Sequence, residues 1–139
     1  MIQRIQSLYL LLVVVLQIIL LFSRIATVSM EGGEELVYNT LDFWAMAILA
    51  GISALLAFIS IFLFRKRLIQ IRINIYNAII LLALQGYLVY YLIGLTRQVE
   101  IINYSIPDVF PVISAILTFL AIRSIGKDEA LIKALNRIR

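Results

Sequence analysis

The stretch that decides how this chain is read is FLFRKRLIQIRIN, residues 62–74. It sets Arg65, Lys66, Arg67 and Arg72, four of the twelve basic residues, in one short connection between two apolar runs. Behind it, Phe43 to Phe64 continues for twenty-two residues without a charge; ahead, Ile73 to Leu95 does so for twenty-three. As helices rising about 1.5 Å per residue, these runs reach roughly 33–35 Å, enough to cross the ~30 Å hydrocarbon core of a bilayer. The basic connection then falls at a membrane surface.

Two further runs flank this pair. Ile5 to Ser23 is nineteen uncharged residues, fourteen of them Leu, Ile, Val or Phe, and it tolerates an amide such as Gln17. Val109 to Ile122 is shorter and bounded by Asp108 and Arg123; Asp108 is expected to cap it, with Pro111 in the first turn, where a missing N–H does little harm. Met1 to Arg4 ahead of an apolar core could open a signal peptide, but Arg24 to Ser29 is a poor cleavage pattern and the first span is expected to remain.

The expected fold is all-α. It is a polytopic membrane protein of one integral domain over residues 1–139, with four transmembrane helices in a bundle at about 5–23, 43–64, 73–95 and 109–125. A C-terminal amphipathic cytoplasmic helix in the tail 126–139 completes it. Composition agrees: 63% of residues are hydrophobic and 14% charged, far from the ~25% charged of soluble domains. Cysteine and histidine are both absent, which removes disulfides, the usual transition-metal ligands and the commonest general base. The net charge of +4 interleaves with membrane-length apolar runs and not with a stacking surface, so no direct nucleic-acid partner is expected.

Charge sets the orientation. With the N-terminus inside, Arg4, Arg65, Lys66, Arg67, Arg72, Arg123, Lys127, Lys133, Arg137 and Arg139 share one side with Asp128 and Glu129. The other side holds only Arg24 and Arg97 against Glu31, Glu34, Glu35, Asp42, Glu100 and Asp108. Basic residues collect on the cytoplasmic side of short loops, so both termini are expected there.

Between the spans, Ile69 to Asn74 alternates apolar and polar at period two, yet a lone strand would lack a partner, and a tight turn into the third helix is expected. Thr27 to Leu41, with its Glu-Gly-Gly-Glu-Glu core, is expected to turn, with a short hairpin or helix.

Three groups of side chains are candidates for function. Gln3, Gln6 and Gln17 share a face of the first helix, and Asn74 and Gln85 a face of the third; with Asn77 these supply the intramembrane polar candidates Gln17, Asn77 and Gln85. Such amides either line a polar track or bond between helices, at about 0.6 kcal/mol each on average. Ala47, Ala50, Gly51, Ala54 and Ala57 form a small-residue face on the second helix, the expected close-packed interface, with Ser114, Thr118 and Ala121 a lesser counterpart on the fourth. Trp44 and Tyr38, Tyr87, Tyr90, Tyr91 and Tyr104 fall toward the outer side, as an aromatic belt does.

The tail DEALIKALNRIR, residues 128–139, puts Leu131, Leu135 and Ile138 on one helical face, as an interfacial helix or a straight continuation of the fourth span. Contact with anionic lipid, or with a membrane or cytosolic protein partner, is expected at Arg4, Arg65, Lys66, Arg67, Arg72, Lys133, Arg137 and Arg139. No hydrolase elbow, zincin, dinucleotide or P-loop motif occurs, and Asp128 and Glu129, beside bases on a tail expected to be exposed, are expected to serve in ion pairing or as helix N-terminal charge. No enzyme activity, cofactor or metal is expected.

Met1 to Gln6 followed by Tyr9 to Leu12, the Arg65-Lys66-Arg67 turn with Gln70 and Arg72, and the closing Lys127 to Leu131 with Asn136 to Arg139 together resemble a bacterial family known as domain of unknown function 4293. The chain departs from its pattern at Asn136, where aspartate is more usual. The resemblance runs over essentially the full length and implies a small four-span membrane protein with no assigned activity. The functional expectation is a structural or accessory subunit that binds a partner through its basic cytoplasmic face. The alternative is a small oligomeric transporter or channel.

Overall fold

The computed structural model of the protein describes residues 2–99 and 102–138, with side chains from Arg4 onward. Arg139, Glu100 and the side chain of Gln3 lie outside the described residues. Four long helices dominate: α1 (Ile2–Leu21), α2 (Trp44–Phe62), α3 (Arg67–Thr96) and α4 (Phe110–Ile138). All four are long and apolar enough to cross a membrane. The fold is not purely helical, because β1 (Arg24–Ser29), β2 (Glu35–Asn39) and β3 (Ile102–Tyr104) form an antiparallel sheet in the order β2-β1-β3.

Each helix turns a stripe of alternating three- and four-residue spacing inward. The buried residues are Gln6, Leu10, Val13, Gln17 and Leu20 on α1; Met46, Ala50, Ser53, Ala57 and Ser60 on α2; Gln70, Asn74, Asn77, Leu81, Leu84 and Leu88 on α3; and Pro111, Ser114, Thr118, Ala121, Ile125 and Asp128 on α4. A mean spacing of 3.5 keeps one seam facing its neighbours along a helix's whole length. α1 packs against α2 and α4, and α3 packs against the same two. The outward residues are mostly large and apolar, including Leu8, Leu55, Ile79, Leu82 and Phe119, each more than half exposed.

The period-two stretch is helix, not turn. α3 starts at Arg67 because Gln70 and Asn74 already belong to its inward seam, and the real turn is Leu63–Lys66, closed by Lys66 N–H donating to the Leu63 carbonyl at 2.9 Å. Gln70 Nε2 ties the turn down by donating to the Ser60 carbonyl at 2.9 Å. Of the two forms expected for the tail, the straight continuation of the fourth span is the one present, and no separate interfacial helix forms among the described residues. α4 runs unbroken through Gly126, since Ile125 and Asp128 on either side of it are both buried against neighbouring elements.

Asp108 does not cap α4. It is the third residue of a 3₁₀ turn, Ile106–Val109, where its Oδ2 accepts from Ser105 N–H at 3.2 Å, and Pro111 follows as the second residue of α4.

The sheet seals one end of the helices. Met30 to Glu34 turn the β1–β2 hairpin, with Gly33 at φ 78°, a left-handed conformation that a Cβ disfavours. Ile25 and Ala26 of β1 pack into one cluster with Leu20, Met46, Ala50, Leu84, Leu88 and Leu95. Thr40 Oγ1 donates to the Leu20 carbonyl at 2.7 Å, satisfying an orphan acceptor at the end of α1. This is the sheet end. The opposite, terminal end gathers the start of α1, the α2–α3 turn and the last turns of α4.

Candidate functional site

The terminal end brings together most of the predicted contact residues. Arg4 is exposed on the first turns of α1, Arg65 and Lys66 are exposed on the α2–α3 turn, Arg67 is half-buried at the start of α3, and Arg72 is exposed a turn further on. Lys133 and Arg137 lie further out, on a stretch of α4 exposed from Ala130 to Ile138 that extends about 15 Å beyond Asp128. A groove of about 680 Å³ opens between that helix and the turn, lined by residues 64–69 together with Glu129 and Ile132. Its walls combine three basic side chains with the apolar Phe64, Leu68, Ile69 and Ile132. Glu129 is engaged by Lys133 at 3.7 Å, which moderates its opposition to the bases.

Behind this rim the interior is polar. Gln6 Nε2 donates to Asp128 Oδ2 at 2.6 Å across α1 and α4, and both residues are buried. Asp128 therefore does not sit on an exposed tail paired to a base: among the described residues no Lys or Arg comes within ion-pair distance of it. The signal was present in the sequence, since Asp128 continues the spacing Ser114, Thr118, Ala121, Ile125.

The three intramembrane candidates separate. Gln17 Nε2 donates to Ser114 Oγ at 2.9 Å, so this amide bonds α1 to α4. Asn77 is fully buried, and neither its Oδ1 nor its Nδ2 has a partner. Gln85 is half-buried with its Oε1 unpartnered. Sequence reasoning passed over Asn74, Ser60 and Gln70 as a group. Asn74 is as buried as Asn77 and also unpartnered at both atoms, while Ser60 Oγ and Gln70 Oε1 find no partner either. An unsatisfied buried group costs about 1–3 kcal/mol, so these atoms toward the terminal end, with Gln17 Oε1, Ser53 Oγ, Gln85 Oε1 and Asp108 Oδ1 unpartnered further along, call for a physical account.

Of the small-residue face, Ala50 and Ala57 are buried in the interior, while Ala47, Gly51 and Ala54 lie half-buried on its flanks. α2 meets α1 and α3 through this face, and α4, which carries Ser114, Thr118 and Ala121, stands diagonally across. At the sheet end Phe43 and Tyr91 pack at 4.3 Å between ring centroids, with Tyr38 at 6.3 Å from each, while Trp44 and Tyr90 point outward, more than three-quarters exposed.

These features define a class: a small protein of four membrane-length helices with an apolar, sheet-capped end and a polar, basic-rimmed end. The chain belongs to the family described as Domain of unknown function (DUF4293), whose sequence model matches residues 2–138. No curated protein and no solved structure matches it.

Proposed function

We propose that this is a four-pass bundle of the bacterial inner membrane, with its terminal end in the cytoplasm, acting as a structural or accessory subunit that holds anionic lipid at its basic rim. The apolar exterior and partly polar interior invert the arrangement of a water-soluble domain, which supports insertion in lipid. The gathering of Arg4, Arg65, Lys66, Arg67 and Arg72 at one end supports that end as cytoplasmic, by the bias of basic residues toward that side.

The groove beside the α2–α3 turn carries the proposal, because a cationic edge over an apolar floor matches an anionic headgroup above its acyl chains. Each basic residue near an anionic leaflet contributes about 1 kcal/mol, so Arg65, Lys66 and Arg67 together supply about 3 kcal/mol. The proposal assigns no catalytic role. A channel is the weaker reading: Asn77 offers an unpartnered amide and Gln17 and Gln85 an unpartnered Oε1 each, but Leu20, Met46, Leu84 and Leu88 pack the interior at the sheet end.

Lipid retained through purification in mild detergent tests the reading. The wild-type protein should carry acidic phospholipid well above its share in the membrane, and the triple variant Arg65→Gln, Lys66→Gln, Arg67→Gln should lose most of that excess. Equal retention by both, or retention of an acidic protein in place of lipid, would overturn it.

A further inference from the structure

We infer that the terminal half of the interior is a water-binding site, built by Ser60 of α2 and Gln70, Asn74 and Asn77 of α3. The four residues lie on the inward seams of two helices that pack together, and all are at least 98% buried. Gln70 is fixed through its amide nitrogen, which donates to the Ser60 carbonyl, leaving its Oε1 free. Asn74 and Asn77 follow it along α3 at rises of about 6 and 10 Å.

The chemistry of the unpartnered atoms selects the ligand. Asn74 and Asn77 present two amide nitrogens, with four N–H groups between them, and two carbonyl oxygens; Gln70 adds a third carbonyl oxygen and Ser60 a hydroxyl that both donates and accepts. A bare cation would satisfy the oxygens and strand the N–H groups. An anion would do the reverse. Water donates and accepts, and a buried water typically makes about three bonds to groups of this kind. A small cluster of two or three waters therefore balances the set, where a single ion does not.

Access is one-sided. Toward the terminal end the interior holds the polar pair Gln6 and Asp128, whereas beyond Asn77 the α3 seam becomes Leu81, Leu84 and Leu88, packed with Leu20, Met46 and Ala50 or with Val13 and Ala57, and Ser53 Oγ and Gln17 Oε1 are the unpartnered atoms the facing helices add. The water enters from the end that carries the basic rim and stops about 15 Å along α3 from Arg67, near the middle of a ~30 Å hydrocarbon core. The site is a hydrated polar cluster, not a pore, and it is independent of the lipid groove outside.

Water-selective nuclear Overhauser spectroscopy tests this on the full-length wild-type chain in lipid nanodiscs, with ¹⁵N-asparagine labelling and side-chain amides assigned by correlation to their own backbone. The Asn74 and Asn77 NH₂ groups should each show a cross-peak to water, with the sign of a long-lived contact, unchanged when sodium is replaced by choline. Cross-peaks that vanish in choline would mean a cation site and overturn the inference. So would amides in contact only with protein atoms.

Discussion

Gln6 and Asp128, 122 positions apart in sequence, are joined at 2.6 Å by a buried hydrogen bond from the amide of α1 to the carboxyl of α4. It fixes the register of the first helix against the last at the end where the basic residues gather. Gln6→Leu removes the hydrogen-bond donor to that buried carboxyl and should destabilise the protein by about 1–3 kcal/mol, whereas Asp128→Asn, which keeps a carbonyl acceptor, should cost less. Unfolding in mixed detergent micelles reads the difference as ordered shifts in midpoint.

Gln17 makes the analogous bond to Ser114 at 2.9 Å, but between neutral groups deeper in the helices. Gln17→Leu should cost only about 0.6 kcal/mol, within a ceiling of about 1.7, because amide bonds between membrane helices are weak on average. The same unfolding measurement checks it. A larger loss would mean that Gln17 supports more than one contact.

The small-residue face of α2 is divided by burial, and substitutions should respect the division. Ala57 is fully buried against Val13 and Leu81, so Ala57→Leu overpacks the interior and should cost about 1–3 kcal/mol. Ala54 is only half-buried, and Ala54→Leu should change the unfolding midpoint by much less. Equal effects would contradict the assignment of Ala50 and Ala57, rather than the whole face, to the interior.

Much of this architecture was legible in the sequence because hydrocarbon-length apolar runs have one economical structure, and all four expected spans fall within or within two residues of a helix. Of the sheet, the β1–β2 hairpin was one of the two alternatives open at Thr27 to Leu41, but the third strand was not legible, since Arg24 to Ser29 and Ile102 to Tyr104 find each other only after the helices bring their ends together. Period two at Ile69 to Asn74 misled for the opposite reason: its polar members Gln70 and Asn74 are four apart and fit an inward helical seam as well as they fit a strand. The basic rim was readable from charge alone. The polar interior needed the register: Asn74 was legible as part of a polar face with Gln85, but Gln70 and Ser60 join it only once the seam Gln70, Asn74, Asn77, Leu81 is traced.

Gly33 offers a local check on the hairpin at the sheet end. Its φ of 78° is open to glycine and strained for other L residues, so Gly33→Val should destabilise the turn, and Gly32→Ala should be nearly silent. Amide exchange of the β1 and β2 backbone should accelerate in the first variant and not in the second.

In the proposed arrangement the terminal and sheet ends lie on opposite sides of a membrane, and the absence of cysteine from the sequence makes single-cysteine labelling a direct probe. Gly32→Cys, at the tip of the hairpin, and Lys66→Cys, in the basic turn, are exposed to a maleimide that cannot cross the inner membrane. Intact spheroplasts should label Gly32→Cys at once and Lys66→Cys only after permeabilisation. Labelling of Lys66→Cys in intact spheroplasts with Gly32→Cys protected would reverse the orientation, and equal labelling of both before permeabilisation would contradict a membrane-spanning protein altogether.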